Sequence, residues 1–501
     1  MELKEKVNKR RNLLNHLKKM IYIDDSSLWK TVVYRFKEEG FPALISSQYV
    51  IPASALWTYI RTWVNYFRSN KINKGDKVII QLPKGPAFLI VLMACFWEEI
   101  CVIIADNQIN LKETAIQFGA HAIISQSPEN STITSNEFYM PEKGQANGLN
   151  PFAMPINNIR FFIRTSGTMG NPEWIGISNI NLASVLYSHI KKLNYKPEAR
   201  VLSLLPWNHI FGLVLELLIS VFLGMEIIID PDAPKVPDTT ANLLEIFEIN
   251  YISAVPYTIF KLMQSPRGCL ALQSLSGGVV GGAPVSNEIA KFLNSTKLVA
   301  GYGQTEASPG ITLGDVGKWS ENYLGKPVGC RILVDQDRVL HFSGTNAHIA
   351  KWSDSGLEIL NPGRMVNTGD IVYQKRNNYF FTGRANNSFK LSNGFFVYPE
   401  YIESKLKSSI DDLLEVLIST VDFHKLIIIY SSKDKKIIQM EDFSKYFEGI
   451  SNKISKIYFI ENNLWIYSSK GNIDRLKMVK FLLTNLDSLE SKKSVREIFL
   501  G

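Results

Sequence analysis

The sequence predicts an α/β protein: a large N-terminal domain of parallel α/β sheets with a small β subdomain, then a smaller α+β C-terminal domain. Three observations carry this. Strand-length apolar runs alternate with helix-period segments over 78–124 and again over 201–255, the pattern of a parallel sheet with helical crossovers. Over 330–379 the pattern shortens to β-type runs broken by Gly, Asn and Asp turns. After Gly383-Arg384-Ala385-Asn386-Asn387 it changes to mixed helix and strand, so the expected domains are 1–385 and 386–501.

Taken in order, 22–50 reads as a helix and a short hairpin, and 53–67 as a helix with apolar residues at helical spacing. A turn at Lys74-Gly75-Asp76-Lys77 leads into a strand over 78–82, a helix over 86–97, a strand over 101–105, a helix over 111–118 and a strand over 122–124. The polar stretch 128–150 reads as a surface connection. Strands over 201–205, 226–229 and 251–255 then alternate with helices over 211–223 and 240–249. In the C-terminal part, 401–407 reads as a helix, 413–421 and 425–430 as strands, and 442–485 as mixed α+β.

Bulk properties exclude several classes. The 501 residues imply two or more domains, and 46% hydrophobic with 20% charged residues is an ordinary globular composition. Of the net charge of +8, +5 sits in the first 20 residues, which carry seven Lys/Arg against two Glu. The body therefore has no basic face for nucleic acid. Leu3, Val7, Leu13, Leu14, Leu17 and Met20 give that arm helical spacing, read as a helix packed on the body, and no apolar core of signal-peptide length follows the charges. The four cysteines (Cys95, Cys101, Cys269, Cys330) lack metal-ligand spacing and read as reduced core residues, which with no signal points to the cytoplasm. The apolar stretch 210–229 contains Glu216, Glu226, Gly212 and Gly224 and reads as a buried helix and strand, with no membrane span.

The stretch 161–182 is the centre of the chemistry. An apolar strand ends in Thr165-Ser166-Gly167-Thr168-Met169-Gly170-Asn171-Pro172, where hydroxyls and glycines alternate. Glycine lets the backbone approach a ligand, and successive N–H groups with Ser/Thr hydroxyls can cradle phosphate. No Gly-Lys-Ser/Thr closes the loop, so it is not a Walker A loop. Further along stand Pro206-Trp207-Asn208-His209-Ile210-Phe211-Gly212, Gly281-Gly282-Ala283-Pro284, Gly301-Tyr302-Gly303-Gln304-Thr305-Glu306, Asn367-Thr368-Gly369-Asp370, Thr382-Gly383-Arg384 and Lys470-Gly471-Asn472-Ile473-Asp474-Arg475.

Together, and in this order, these stretches resemble the ANL superfamily of adenylate-forming enzymes: acyl- and aryl-CoA synthetases, peptide-synthetase adenylation domains and luciferases. The resemblance covers nearly the whole chain, and it implies a mobile C-terminal domain. It implies ATP and Mg²⁺, a small carboxylic acid substrate, and coenzyme A or the phosphopantetheine of a carrier protein as acyl acceptor. Thr165, Ser166, Gly167, Thr168 and Gly170 would hold the β- and γ-phosphates. Thr305 would contact the α-phosphate, and Glu306 would hold Mg²⁺, a hard ion that prefers carboxylate oxygen. Gly281, Gly282, Ala283 and Tyr302 would wall the adenine, and Gly303 would belong to the same nucleotide site. Asp370 would accept from the ribose hydroxyls with Arg384 assisting, and His209 would line the acyl pocket.

The sequence also departs from that pattern. The usual Pro-Lys-Gly after the phosphate loop is Pro172-Glu173-Trp174, and Glu173 is expected to point to solvent. A usual His is Asn179, and the hinge Asp is Asn386. The catalytic C-terminal Lys is replaced by Asn472, with Lys470 two positions earlier as a possible stand-in. Lys390 and Gly394 resemble, at slightly longer spacing, a pair that faces the site during thiol transfer. The expected function is acid activation to an acyl-adenylate followed by thiol transfer. The alternative is a degenerate homologue that binds nucleotide or acyl-adenylate without efficient adenylation; an amide-forming ligase is a third reading. The neighbours of Phe211 lean toward a non-amino acid, while Glu216 one turn on keeps an amino-acid substrate open.

Overall fold

The alternation of strands and helices closes into two large sheets. The computed structural model describes residues 12, 14–19, 21, 28–37, 44–46, 49–125, 159–165, 173–197, 199–230, 236–353, 355–392, 396–420, 424–447, 451–467, 473–491 and 494–498. In the seven-stranded sheet, Ala122–Ser125, Lys77–Gln81, Cys101–Ile104 and Ile159–Arg164 lie parallel in that spatial order. The helix Pro86–Trp97 that joins two of them is buried at every residue from Phe88 to Trp97. Such a helix, apolar all round, belongs in the interior of a large core.

In the 13-stranded sheet the parallel run is Glu226–Ile229, Arg200–Ser203, Tyr251–Ala254, Gly277–Gly281 and Leu298–Tyr302. The β-rich region does not stand apart from these sheets. Arg331–Val334, Val339–Ser343, Val366–Lys375 and Asn378–Arg384 continue the 13-stranded sheet antiparallel, and Ala350–Ser353 with Gly356–Ile359 continues the seven-stranded one. Among the described residues four helices beyond those expected appear, and each starts on a helix signal. Asn179–Leu193 is capped by Ser178 in a reciprocal capping box with Asn181. Pro256–Met263 and Pro266–Ser274 begin with proline, and Asn287–Leu293 follows Ser286.

The smaller C-terminal part has its own four-stranded sheet, Leu413–Thr420, Leu426–Ser432, Ile454–Ile460 and Val495–Ile498, flanked by helices Pro399–Ser409 and Arg475–Ser491. Its core is built on Leu406, Val416, Ile428, Tyr430 and Phe459. At the other end of the chain residues 14–19 are helical, and Leu17 is buried with Leu28 and Trp29, as the arm's periodicity predicts. The stretch 210–229 folds as the short helix Ile210–Gly212, a π-helical segment Leu213–Leu218, the helix Ile219–Leu223 and the strand Glu226–Ile229. No helix among the described residues is long and apolar enough to cross a membrane. The four cysteines are free, with Cys95 and Cys101 buried.

Candidate functional site

In open α/β sheets, ligands sit beyond the carboxyl ends of the parallel strands. Three expected segments meet there. Gly277–Gly281 and Leu298–Tyr302 run side by side with Gly281 opposite Gly301, and a Cβ on Gly281 would stand 2.2 Å from the Gly301 carbonyl oxygen. Only glycine tolerates that approach. Gly282 follows at φ +84°, and Ala283 behind it is half-buried. A Cβ on Gly282 would lie 3.9 Å from the Phe211 ring, which brings the His209 turn against the same strand end. Gly303 is needed for a different contact, since a Cβ there would fall 1.4 Å from the Pro309 carbonyl oxygen.

Asp370 is the hub. It is 2% exposed and pairs across the sheet with Arg384. Its Oδ2 accepts from Tyr302 Oη and from Gln304 Nε2, both at 2.8 Å, and Gln304 Nε2 also donates to the Thr368 carbonyl at 2.8 Å. Arg384 Nε stands 3.0 Å from Oδ1 as an ion pair, yet Oδ1 accepts no hydrogen bond among the described residues. Burial and then the Asp370 charge hold the Tyr302 hydroxyl well above its ordinary pKa. A buried carboxylate oxygen with spare capacity beside an exposed guanidinium suits a ligand that brings hydroxyl donors, as a ribose does.

Thr305 and Glu306 form the one-turn 3-10 helix Thr305–Ala307 directly after Gln304. The Glu306 carbonyl accepts from both the backbone N (2.9 Å) and Nδ1 (3.0 Å) of His348. Arg364 Nη1 donates to the His348 carbonyl at 2.8 Å, and Nη2 reaches its ring at 3.0 Å. Burial, and then the Arg364 charge, push His348 down to about 4, so it is neutral at physiological pH. This clamp fixes the peptide that carries Glu306. No cluster of three or more His, Cys, Asp or Glu side chains suited to a metal occurs among the described residues. A single carboxylate fits Mg²⁺ held largely by substrate phosphates and water.

The phosphate loop is closed at its base. Thr165 N donates to the Glu173 carbonyl at 2.8 Å, and Glu173 N returns a bond to Thr165 Oγ1 at 3.3 Å. Ser166, Gly167, Thr168 and Gly170 lie outside the described residues, as do Gly394, Lys470 and Asn472. Glu173 keeps about a third of its side chain exposed (35%), and Lys351 Nζ, on the neighbouring strand, pairs with it at 2.7 Å and offsets the reversed charge. Asn179 is structural, accepting from Trp29 Nε1 and the buried Arg160 Nε at 3.1 Å each.

Residues 37–345 match the AMP-binding enzyme family. The chain belongs to that family. It lies within the adenylate-forming superfamily whose motifs the sequence carries. Among relatives, a probable 4-coumarate–CoA ligase 1 of Dictyostelium discoideum is 26% identical over 266 residues, 49% of this chain and 48% of that one, so the chain spans about half the length of that relative. Among solved structures, o-succinylbenzoate CoA synthetase of Bacillus subtilis in complex with its acyl-adenylate superposes with a TM-score of 0.71 at 17% identity, covering 89% of this chain and 97% of that one. ATP-bound MatB of Rhodopseudomonas palustris superposes at 0.73 with 16% identity, covering 91% and 99%. At those identities the likeness is one of fold, and it extends to the two-domain architecture.

The remaining expected positions of this AMP-binding family member fall in two places. His209 is half-buried at the N-cap of Ile210–Gly212, and its carbonyl accepts from Leu213 N at 2.9 Å. Gly212 is pressed against the turn, since a Cβ there would meet the Pro206 carbonyl oxygen at 2.3 Å. Glu216 does not face the pocket as a free carboxylate: Ser203 Oγ donates to it at 2.8 Å, Leu204 N at 3.1 Å and Leu205 N at 3.2 Å. Burial still pushes it up to about 7. In the C-terminal part, Asn386 is exposed in a turn, and Lys390 is exposed on the short ribbon Phe389–Lys390 with Phe396–Val397. Arg475 is committed to structure, holding Glu403 with two bonds at 2.7 and 2.8 Å. Gln304, His348 and Arg364 are additions that sequence reasoning missed; for Gln304 the signal was its place between Gly303 and Thr305.

Proposed function

We propose that this protein activates a carboxylic acid with ATP and passes the acyl group to a thiol. The observation that carries the reading is the Asp370 hub, whose Oδ1 is ion-paired with Arg384 but accepts no hydrogen bond among the described residues, while Tyr302 and Gln304 hold Oδ2. Asp370 and Arg384 would orient the ribose, and Gly281, Gly282 and Ala283 would let the flat base lie against the strand ends. The acid's carboxylate oxygen attacks the α-phosphorus, the bond to the β-phosphate oxygen breaks, and pyrophosphate leaves. Thr305 would donate to the α-phosphate at that point. Glu306 would hold Mg²⁺, whose charge would offset that of the transferring group. Preorganised donors of this kind carry most of the catalysis in such transfers.

In the second half-reaction a thiolate attacks the acyl carbon and AMP leaves, the thiol proton passing to solvent. Coenzyme A is the acceptor this reading favours, with a carrier-protein phosphopantetheine as the variant. Residues 386–501 would be the moving domain, turning about Asn386 between the half-reactions. The saturation of Glu216 supports an acid without an α-amino group, because its oxygens have no acceptor capacity left to pair one.

One feature favours a second reading, a nucleotide-binding homologue with weak adenylation: Asn472 stands where the resemblance expects a lysine. Incubation with ATP, Mg²⁺ and a panel containing 4-coumarate, o-succinylbenzoate and a long-chain fatty acid separates the two. The proposed reaction yields AMP and pyrophosphate with at least one acid. ADP and phosphate would discard it, and tight ATP binding without any AMP would favour the second reading.

A further inference from the structure

The strand Arg200–Ser203 leaves the sheet just before the turn that carries His209. The peptide N–H groups of Leu204 and Leu205 then have no strand to pair with, and buried N–H groups need an acceptor. Glu216 supplies it from eleven to twelve residues on. Its Oε1 accepts from Leu204 N at 3.1 Å, and Leu205 N is shared between Oε1 and Oε2 at 3.2 Å. Ser203 Oγ donates to Oε2 at 2.8 Å and itself accepts from Trp207 Nε1 at 3.0 Å. The carboxylate thus holds both the start of the turn and, through Ser203, its middle.

Two further features fit this use. Glu216 lies in the π-helical segment Leu213–Leu218, and π-bulges inside helices cluster at functional sites. Lys84, from the loop after a strand of the other large sheet, donates to the carbonyls of Ser203 (2.9 Å) and Asp230 (3.3 Å). Its charge also lies close enough to act on the Glu216 carboxyl. The carboxylate and its counter-ion therefore join the carboxyl ends of both large sheets beneath the His209 turn.

We propose that Glu216 is a positioning residue: with Lys84 as counter-ion, it locks the strand-to-helix turn 204–209 and so sets the acid side of the pocket lined by His209. The claim about the pocket rests on the function proposed above; the lock itself does not. Amide hydrogen exchange on the protein without ATP or acid reads the lock directly. In Glu216→Gln the peptide spanning 203–212 should exchange about tenfold faster than in the wild type, with the 298–302 strand and the C-terminal sheet unchanged. With any acid that supports AMP formation, the KM for that acid should rise about tenfold while the KM for ATP stays within about twofold. Lys84→Met alone leaves Glu216 without its counter-ion, so Lys84→Met/Glu216→Gln should be closer to wild type than the product of the single effects.

Unchanged exchange over 203–212 would overturn the lock, as would acceleration throughout the molecule. Local acceleration with an unmoved acid KM would overturn the positioning role. If the wild type activates no acid, the proposed function falls and the exchange measurement still decides the lock. Should Glu216→Gln not fold, Ser203→Ala removes one of the donors and carries the same measurements.

Discussion

Asp370, within the strand Val366–Lys375, and Glu216, within the π-helical segment Leu213–Leu218, are both buried carboxylates, 2% and 1% exposed, and they differ in what surrounds them. Around Asp370 the partners are side chains: a tyrosine, a glutamine and an arginine, with one oxygen accepting no hydrogen bond. Around Glu216 they are two backbone amides and a serine, and both oxygens are used. Side-chain partners can be exchanged for a ligand at small cost to the fold, whereas backbone amides cannot be released without rebuilding the turn. Spare capacity, more than burial, separates a carboxylate that meets substrate from one that holds the chain.

The largest expected effect is on the Asp370 side. If Asp370 makes two charge-assisted contacts to the ribose at roughly 2 kcal/mol each, Asp370→Ala should lower kcat/KM for ATP on the order of 10³-fold. Its melting temperature should move little compared with Glu216→Ala, because the Asp370 partners can turn to water. Steady-state kinetics beside thermal unfolding checks this, and a larger loss of stability than of ATP use would erase the contrast.

Next comes the charge absent at position 472. Asn472→Lys would add one charge-assisted contact, about 10- to 150-fold in adenylation rate. Thiol transfer from preformed acyl-AMP should be nearly unchanged. Lys470→Ala is the companion: if it abolishes adenylation while Asn472→Lys gains nothing, Lys470 already fills the role.

The third effect is on stability and is read in pH. The Glu216 carboxyl is raised from the ordinary 4.5 to about 7, chiefly by burial. Between those values the folded state holds a proton that the unfolded chain has released, so this group's contribution to stability is full below about 4.5 and is lost as pH rises through 7. Relative to Glu216→Gln, the wild type should lose about 1.4 kcal/mol per pH unit across that window. His189 and His348, both pushed down from 6.5 to about 4 by burial, act in the opposite sense. Their contribution is full above 6.5 and is lost as pH falls toward 4. Denaturant unfolding of the wild type, Glu216→Gln, His189→Gln and His348→Gln across pH 4 to 8 separates the limbs.

Much of this was legible in the sequence because it is local. The strands over 78–124 and 226–229 and the helices Pro86–Trp97 and Leu111–Phe118 follow from periodicity within single segments, and the structure places them within a residue or two. The Gly281–Gly282 and Gly303 positions were marked by glycines that close contacts require. What could not be read is long-range or geometric. Gln304 meets Asp370 across 66 residues and His348 meets Glu306 across 42, with no spacing to announce either. Lys351 offsets the Glu173 charge only because two strands pair. Glu216 looked available because its place on an ordinary helix says nothing about a π-helical turn that points it back at Leu204 and Leu205.

The most direct test of the central claim is ATP–pyrophosphate exchange measured side by side in the wild type and Asp370→Asn, with and without acid. Acid- and Mg²⁺-dependent exchange in the wild type, falling on the order of 10²-fold in Asp370→Asn, is the predicted result. Exchange that is the same in both proteins, or that proceeds without acid, would contradict it.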